Sequence, residues 1–414
     1  MVTQVGLMAI FLVAAVAIMV RPFGVGEGWV ATGAAAIALG TGLLPLAAAG
    51  RGLLLTLDVL AFFGGLLLLA AAGAAAGVFD LLLHFLVAWS GGSPRRLLVG
   101  TAVAGALVTA VLSNDACVLL FAPAVLRLIR RLHLPATPYL LAIAFIANSA
   151  SLVLPMGNPV NLLILDRARL QPLVYVATVT PAAAVGTAIL VLALAVASRR
   201  IRAARFPVPD VPGPPDPILA RAMLVVIVAL VGADAGAVVL QWPLGVPTLA
   251  IGAAAAGILW ARRPDALHLL RGGGAWGLLP LVLGLSVLGS GLGGLRLLAE
   301  AAASVAPHGT GPGAGLAVGT VTAVLSATLN NLPAALLVSS GLGAVHHLGG
   351  LALTVIAGAD VGPNLAPMGS LSTLLLFAVA RRAGVRPGWG GFWRQAVWAG
   401  PLSLVPVLVL VAVR

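Results

Sequence analysis

Lysine is absent from this 414-residue chain: all 23 basic residues are arginine. There is one cysteine, Cys117, and charged residues make up only 8% of the sequence. A single cysteine excludes a disulfide framework and any multi-cysteine metal site. No polar domain carries clustered basic residues, which excludes a nucleic-acid-binding surface. No basic residue precedes the first apolar stretch, so residues 3–20 are expected to be a membrane span with the amino end outside rather than a secretory leader. Soluble globular proteins are about one quarter charged. This chain is instead 61% hydrophobic with a mean hydropathy of +1.13.

Apolar runs long enough to cross a bilayer, which takes roughly 20 residues, recur along the chain. Ordinary spans are expected at 3–20, 29–49, 53–77, 138–165, 172–198, 218–240, 244–261, 275–298, 351–380 and 392–413. The regions 98–132 and 312–345 are apolar but interrupted by Ser113-Asn114-Asp115 and by Asn330-Asn331-Leu332-Pro333. Each half of these looks too short to cross alone, so both are expected to be re-entrant hairpins. A bilayer tolerates broken backbone only where it is buried in protein or lines a cavity. The spans 138–165 and 351–380 are broken by Gly157-Asn158-Pro159 and by Gly362-Pro363-Asn364.

One stretch is written twice. Thr109-Ala110-Val111-Leu112-Ser113 recurs as Thr322-Ala323-Val324-Leu325-Ser326, and Pro155-Met156-Gly157 as Pro367-Met368-Gly369. Two transmembrane repeats are therefore expected, 1–198 and 218–414, joined by a cytoplasmic linker at 199–217. With the linker inside, 18 arginines fall on the cytoplasmic side and only Arg51, Arg167, Arg169, Arg296 and Arg414 outside, a strong positive-inside bias. Both termini then lie outside. Five crossings separate the hairpins, an odd number, so the repeats are inverted. The expected fold is an all-α polytopic membrane protein of about ten spans, two re-entrant hairpins and two broken helices. Such duplication points to a secondary transporter, whose site lies where the repeats meet.

Most of the acidic residues, Glu27 and Asp166 among them, sit at span ends or in loops, and Asp58, Asp80 and Asp234 read as interfacial carboxylates. Asp115 and Asp360 lie beside the breaks, where a charge costs at least ~2.5 kcal/mol and so marks function. Both are candidate proton carriers, Asp115 the preferred one. Asn114, Asp115, Asn158, Asn161, Asn330, Asn331, Asp360, Asn364, Ser370 and Thr373 are the expected substrate-binding set. Ser113, Asn114, Asp115 and Asn331 also suit helix caps, and a cap position brings them to a helix end that favours polar or anionic ligands. The hairpin tips are expected to face each other. The set is nearly neutral and holds no arginine, which fits a small polyhydroxy solute. One thiol cannot build a three-thiolate cage, so Cys117 reads as core packing. His346 and His347 lack further ligands for a metal, and no cofactor is expected. Two membrane aspartates also suit an intramembrane aspartyl protease, but Ala357-Gly358-Ala359-Asp360 lacks one such family's Gly-x-Gly-Asp pattern.

Several of these motifs resemble the arsenite efflux permease (ArsB) family of the ArsB/NhaD ion-transporter superfamily. They are Ser113-Asn114-Asp115 leading to Pro123; Asn148-Ser149-Ala150-Ser151 leading to Asn158 and Asn161; Asn330-Asn331-Leu332-Pro333; and Gly358 to Asn364 continuing through Pro367-Met368-Gly369-Ser370-Leu371-Ser372-Thr373. The resemblance implies export of As(OH)3 and Sb(OH)3 from the cytoplasm of a bacterium across its inner membrane, coupled to proton entry. It also implies a homodimer and an optional soluble arsenite-stimulated ATPase partner. A sodium/proton antiporter or sodium-coupled anion transporter of the same superfamily is the alternative.

Overall fold

The computed structural model describes residues 2–20, 25–200, 205–207, 213–268, 275–292, 295–306, 309–385 and 388–414. Arg21, Arg202, Arg271 and Arg386 of the arginine count, and nearly half of the linker, lie outside the described residues. Every regular element among the described residues is helical. Eight of its helices are long and apolar enough to cross a membrane by length and composition, and large apolar side chains such as Val225, Val228 and Val397 stand exposed on their outer faces. An outer surface of that kind suits hydrocarbon, and the protein is a multi-pass membrane protein.

The first half runs α1 (Val2–Val20), α2 (Glu27–Gly40), α3 (Leu46–Ala76), α4 (Val78–Ser90) and α5 (Pro94–Leu112). It continues through α6 (Asn114–Ala116), a π turn (Cys117–Phe121), α7 (Ala122–Arg131), α8 (Ala136–Ala150), α9 (Pro159–Ala168) and α10 (Pro172–Ala197). The second half is α11 (Pro217–Leu240), α12 (Gly245–Arg262), α13 (Leu278–Leu292), α14 (Arg296–Val305) and α15 (Pro312–Leu329). It ends with α16 (Asn331–Ala344), α17 (Leu348–Val361), α18 (Leu371–Arg382) and α19 (Trp389–Ala412).

Several expectations are corrected. The first arms of the hairpins, α5 and α15, are 19 and 18 residues long and qualify by length as crossings. Helix α5 begins at Pro94, a turn before the expected start at 98, because Ser93 caps it by accepting from Arg96 N at 3.4 Å. It is the second arm that is short, as in the 14-residue α16. The expected spans at 29–49 and 53–77 are redivided: α2 stops at Gly40, a turn follows, and α3 runs for 31 residues. Two short helices, α4 and α14, precede the hairpins and were not expected at all.

Packing sorts the helices into two bodies that ignore the division into halves. One gathers α1, α2, α3, α11, α12 and α13, and the other α5, α8, α10, α15, α17 and α19. In the first body α3 and α12 meet backbone to backbone. A Cβ on Gly65 would overlap the main chain of Thr248 and Leu249, and one on Gly252 the main chain of Gly65. Lipid offers no hydrophobic drive for helices to associate, so this close approach through small residues is what holds the pair. The second body uses the same device, with Gly358 of α17 against the Gly319 carbonyl of α15. Every polar break described next belongs to this second body or to its junction with the first.

Candidate functional site

Four helices begin inside the molecule: α6, α9, α16 and α18. Their first turns leave backbone N–H groups without intrahelical partners, and the aligned peptide dipoles make these ends partly positive. Asn114, Asp115, Asn158, Asn330, Asn331, Asp360, Asn364, Ser370 and Thr373 are all buried around them, as is Asn161 one turn into α9.

Each hairpin turns on one residue in a conformation that is essentially reserved for glycine. Ser113 has φ 101° and ψ 160°, and Asn330 has φ 78° and ψ 153°. Ser113 N bonds to Thr109 O at 2.9 Å and Asn330 N to Ser326 O at 3.1 Å. The structural equivalents are therefore Ser113 and Asn330, while the two copies of the identical pentapeptide sit one helical turn out of step. Ser326 lies before the break and donates to Ala359 O at 2.8 Å, whereas Ser113 forms the break and accepts from Ala116 N at 3.3 Å. Asn331 is not the cap expected of it. It is the first residue of α16, and its Oδ1 accepts from Leu332 N at 2.9 Å.

Asn330 sits at the cap position without capping, and its Nδ2 is buried with no partner. Strain of this kind costs about 1–3 kcal/mol, and glycine's extra chain entropy offsets only about 0.5–1 kcal/mol of any relief. Asn330→Gly is accordingly expected to raise the thermal unfolding midpoint of the purified protein. A lower midpoint would show that the amide holds the fold together rather than facing a ligand.

The broken spans are held by bonds between the halves. Asn158, extended at φ −150°, caps α9 by accepting from Val160 N at 3.1 Å. Its Nδ2 donates to Asp360 Oδ1 at 2.8 Å, and Ser151 Oγ reaches Asp360 Oδ2 at 3.1 Å. Asn161 Nδ2 donates to Ser151 O at 3.0 Å. Asn364 Nδ2 lies 2.8 Å from Ser149 Oγ and 3.2 Å from Ser403 Oγ, and its Oδ1 accepts from Asn148 Nδ2 at 3.2 Å. Asn148 also reaches Thr373 Oγ1 at 3.3 Å. Asp115 accepts from Ser372 Oγ at 2.7 Å. The tip of hairpin one thus meets the start of α18, and among the described residues no hydrogen bond joins the two hairpin tips. Ser370 caps α18 by position only, its hydroxyl buried without a partner.

The structure brings Asp360, Asn158 and Asn161 into one cluster and Asn364 and Thr373 into a second, adjoining one. Ser151 links them, because its Oγ lies 3.0 Å from Asn148 O as well as beside Asp360. Asn114, Asn330, Asn331 and Ser370 are buried near helix starts but hydrogen-bond to none of the others. Sequence reasoning passed over Asn148, Ser149, Ser151, Ser372 and Ser403 as site residues. A serine in a membrane helix ordinarily bonds its own preceding turn, so nothing local distinguishes these. Cys117 is fully buried and donates to Gly105 O at 3.6 Å, as expected of a packing residue. Asp80 pairs with Arg127 on the surface. Asp234 does not snorkel to the surface. It is fully buried, accepts from Thr248 Oγ1 at 2.9 Å and leaves Oδ2 without a partner. Glu27 is the first residue of α2, the span end expected of it, and is buried there.

Residues 10–360 match the family model described as citrate transporter, CitMHS. An arsenical pump membrane protein of Escherichia coli is 27% identical over 97% of this chain and 95% of its own length. One from Yersinia enterocolitica is 28% identical over the same shares. The silicon efflux transporter LSI3 of Oryza sativa subsp. japonica is 36% identical, over 29% of this chain and 24% of its own. Among solved structures, the Alcanivorax borkumensis YdaH transporter superposes with a TM-score of 0.56 at 16% identity, covering 88% of this chain and 85% of that one. That likeness supports the fold.

Proposed function

Since this chain belongs to the citrate transporter family and is a transporter rather than an enzyme, we propose that it exports trivalent arsenic and antimony, as As(OH)3 and Sb(OH)3, in exchange for protons. The observation that carries this reading is a set of neutral polar atoms left buried and unpartnered at the breaks. They are Asn114 Oδ1, Asn161 Oδ1, Asn330 Nδ2 and Ser370 Oγ. An orphaned buried polar atom costs about 1–3 kcal/mol, and a solute rich in hydroxyls satisfies donors and acceptors alike. Among the described residues no arginine hydrogen-bonds to any of the ten site residues. A strongly anionic solute such as citrate would need cationic partners there. The full-length similarity to arsenical pump membrane proteins supports arsenic as the cargo.

The two inverted repeats would carry the site between faces by alternating access, with the linker and most arginines in the cytoplasm of a bacterium and both termini outside its inner membrane. A homodimer and a soluble ATPase partner belong to the same reading through the family resemblance.

Of the two candidate proton carriers, the hydrogen-bond geometry favours Asp360 over Asp115. When Asp360 is ionised, Ser151 donates to it. When it is protonated, it donates to Ser151, whose own proton turns to Asn148 O. Both states are satisfied without moving a heavy atom. Among the described residues, Asp115 has the Ser372 hydroxyl as its one side-chain partner.

Everted membrane vesicles with an acidified lumen should accumulate arsenite, and a protonophore should abolish the uptake. Exchange of a neutral solute for a proton moves net charge, so an imposed membrane potential should drive it too, at about 2.3 kcal/mol per 100 mV. Uptake that ignores the proton gradient and requires sodium would support the other reading, a sodium-coupled anion transporter; the family's description names an anion, citrate, as cargo.

A further inference from the structure

A cavity of about 340 Å³ lies apart from the polar breaks, at the junction of α3, α9, α13 and α16. It sits at the Leu46 end of α3, and Gly77 beyond the other end of that helix meets Pro214 and Pro215 of the linker. With the linker inside, the cavity faces outward.

Its chemistry differs from that of the breaks. Arg51 and Arg167 line it, together with Thr56, Ser286, Ser290 and Ser340, and no carboxylate does. Asp166, next in sequence to Arg167, lines the neighbouring cavity with Asp58 and Arg169. Neither Arg51 nor Arg167 enters an ion pair among the described residues. Arg167 uses only Nη2, which lies 3.3 Å from Gly289 O and 3.1 Å from Ser340 Oγ. Its Nε and Nη1 therefore remain as donors, and a guanidinium presents such donors in a flat fork matched to oxygen pairs on an anion.

Ser286 points the same way. Its hydroxyl is buried, lines the cavity and has no partner. The other hydroxyls turn their protons to backbone carbonyls, Thr56 to Gly52 O at 2.7 Å and Ser290 to Val287 O at 2.6 Å. Ser286 is thus a spare donor beside two spare cations.

We propose that this cavity is a binding site for a compact oxyanion, held by Arg167 and Ser286 with Arg51 at the rim. A free inorganic ion and the phosphate of a lipid headgroup share this chemistry. The occupant would touch α16 of hairpin two, α9 of a broken span and α3 and α13 of the first body together. The inference is independent of which solute the breaks carry.

The test is a titration of purified, delipidated protein with sodium sulfate against sodium gluconate at matched ionic strength, read as the unfolding midpoint and by calorimetry. Saturable binding of sulfate is expected. Ser286→Ala removes no protein hydrogen bond, only a buried hydroxyl without a partner, so it should not lower the unliganded midpoint while weakening sulfate about tenfold, the equivalent of roughly 1.4 kcal/mol. Arg167→Gln should abolish binding. If that variant does not purify as a single species, Ser286→Ala and Arg51→Gln decide, because neither residue bonds to the described protein. Displacement of sulfate by phosphatidylglycerol, but not by inorganic phosphate, would assign the site to a lipid headgroup, and the reverse to a free ion. No saturable sulfate effect beyond gluconate, or wild-type affinity in Ser286→Ala and in either arginine variant, overturns the proposal.

Discussion

Asp360→Asn protein is expected to bind arsenite and exchange it across the membrane, yet to lose accumulation driven by a pH gradient. The substitution preserves the local bonding. The new amide oxygen accepts from Asn158 Nδ2, and its NH2 donates to Ser151 Oγ, which passes its own proton to Asn148 O. This is the pattern of the protonated carboxyl, fixed permanently. One pH unit is worth about 1.36 kcal/mol per proton, so one-for-one exchange supports roughly a tenfold concentration ratio per unit of gradient. In the variant that ratio should collapse to unity. Asp115→Asn keeps its bond from Ser372 and serves as the comparison. If it pumps normally while Asp360→Asn does not, Asp360 carries the proton; the opposite result moves the role to the hairpin tip. Normal pumping by both would show that neither aspartate couples transport to protons.

The second large effect is expected from Asn158→Ala. Two interactions go together: the cap on α9, worth about 1 kcal/mol, and the amide donor to Asp360, whose loss costs about 1–3 kcal/mol. Because each 1.4 kcal/mol is tenfold, initial rates of arsenite export should fall by at least about tenfold. Binding should weaken at the same time, measured as antimonite affinity of the purified protein. Asn158→Asp keeps an acceptor for Val160 N but faces Asp360 with a second carboxylate, and it should be as impaired. Near-normal export by Asn158→Ala would remove the Asn158–Asp360 bond from the mechanism.

Much of this architecture was legible in the sequence because its signals are local. Apolar runs marked the long helices, and Gly157-Asn158-Pro159 and Gly362-Pro363-Asn364 marked the breaks where they occur, since proline and polar side chains interrupt the backbone ladder wherever they stand. Helices α4 and α14 escaped notice because 13 and 10 residues are too few to signal a span. The identical pentapeptide misled by one turn. The first hairpin's second arm extends from Asn114 to Arg131, whereas α16 ends after 14 residues, and letter identity takes no account of arm length. Asp234 escaped because its hydrogen-bonding partner, Thr248, belongs to a different helix. Ser151 and Ser372 escaped likewise, being defined by what faces them from the other half.

The bonds that cross between the halves have a consequence for how the protein is made. Asn158 and Asp360 are separated by 202 positions in the chain and Asp115 and Ser372 by 257. At a synthesis rate of about 5–20 residues per second, Asn158 waits roughly 10–40 s in the membrane before Asp360 leaves the ribosome. Throughout that interval the nascent first half holds a buried carboxylate and amides whose final partners do not yet exist. Release of an incomplete chain would leave those groups unpaired in lipid, a ready mark for a membrane protease. The site is thus completed only once the second half has been made.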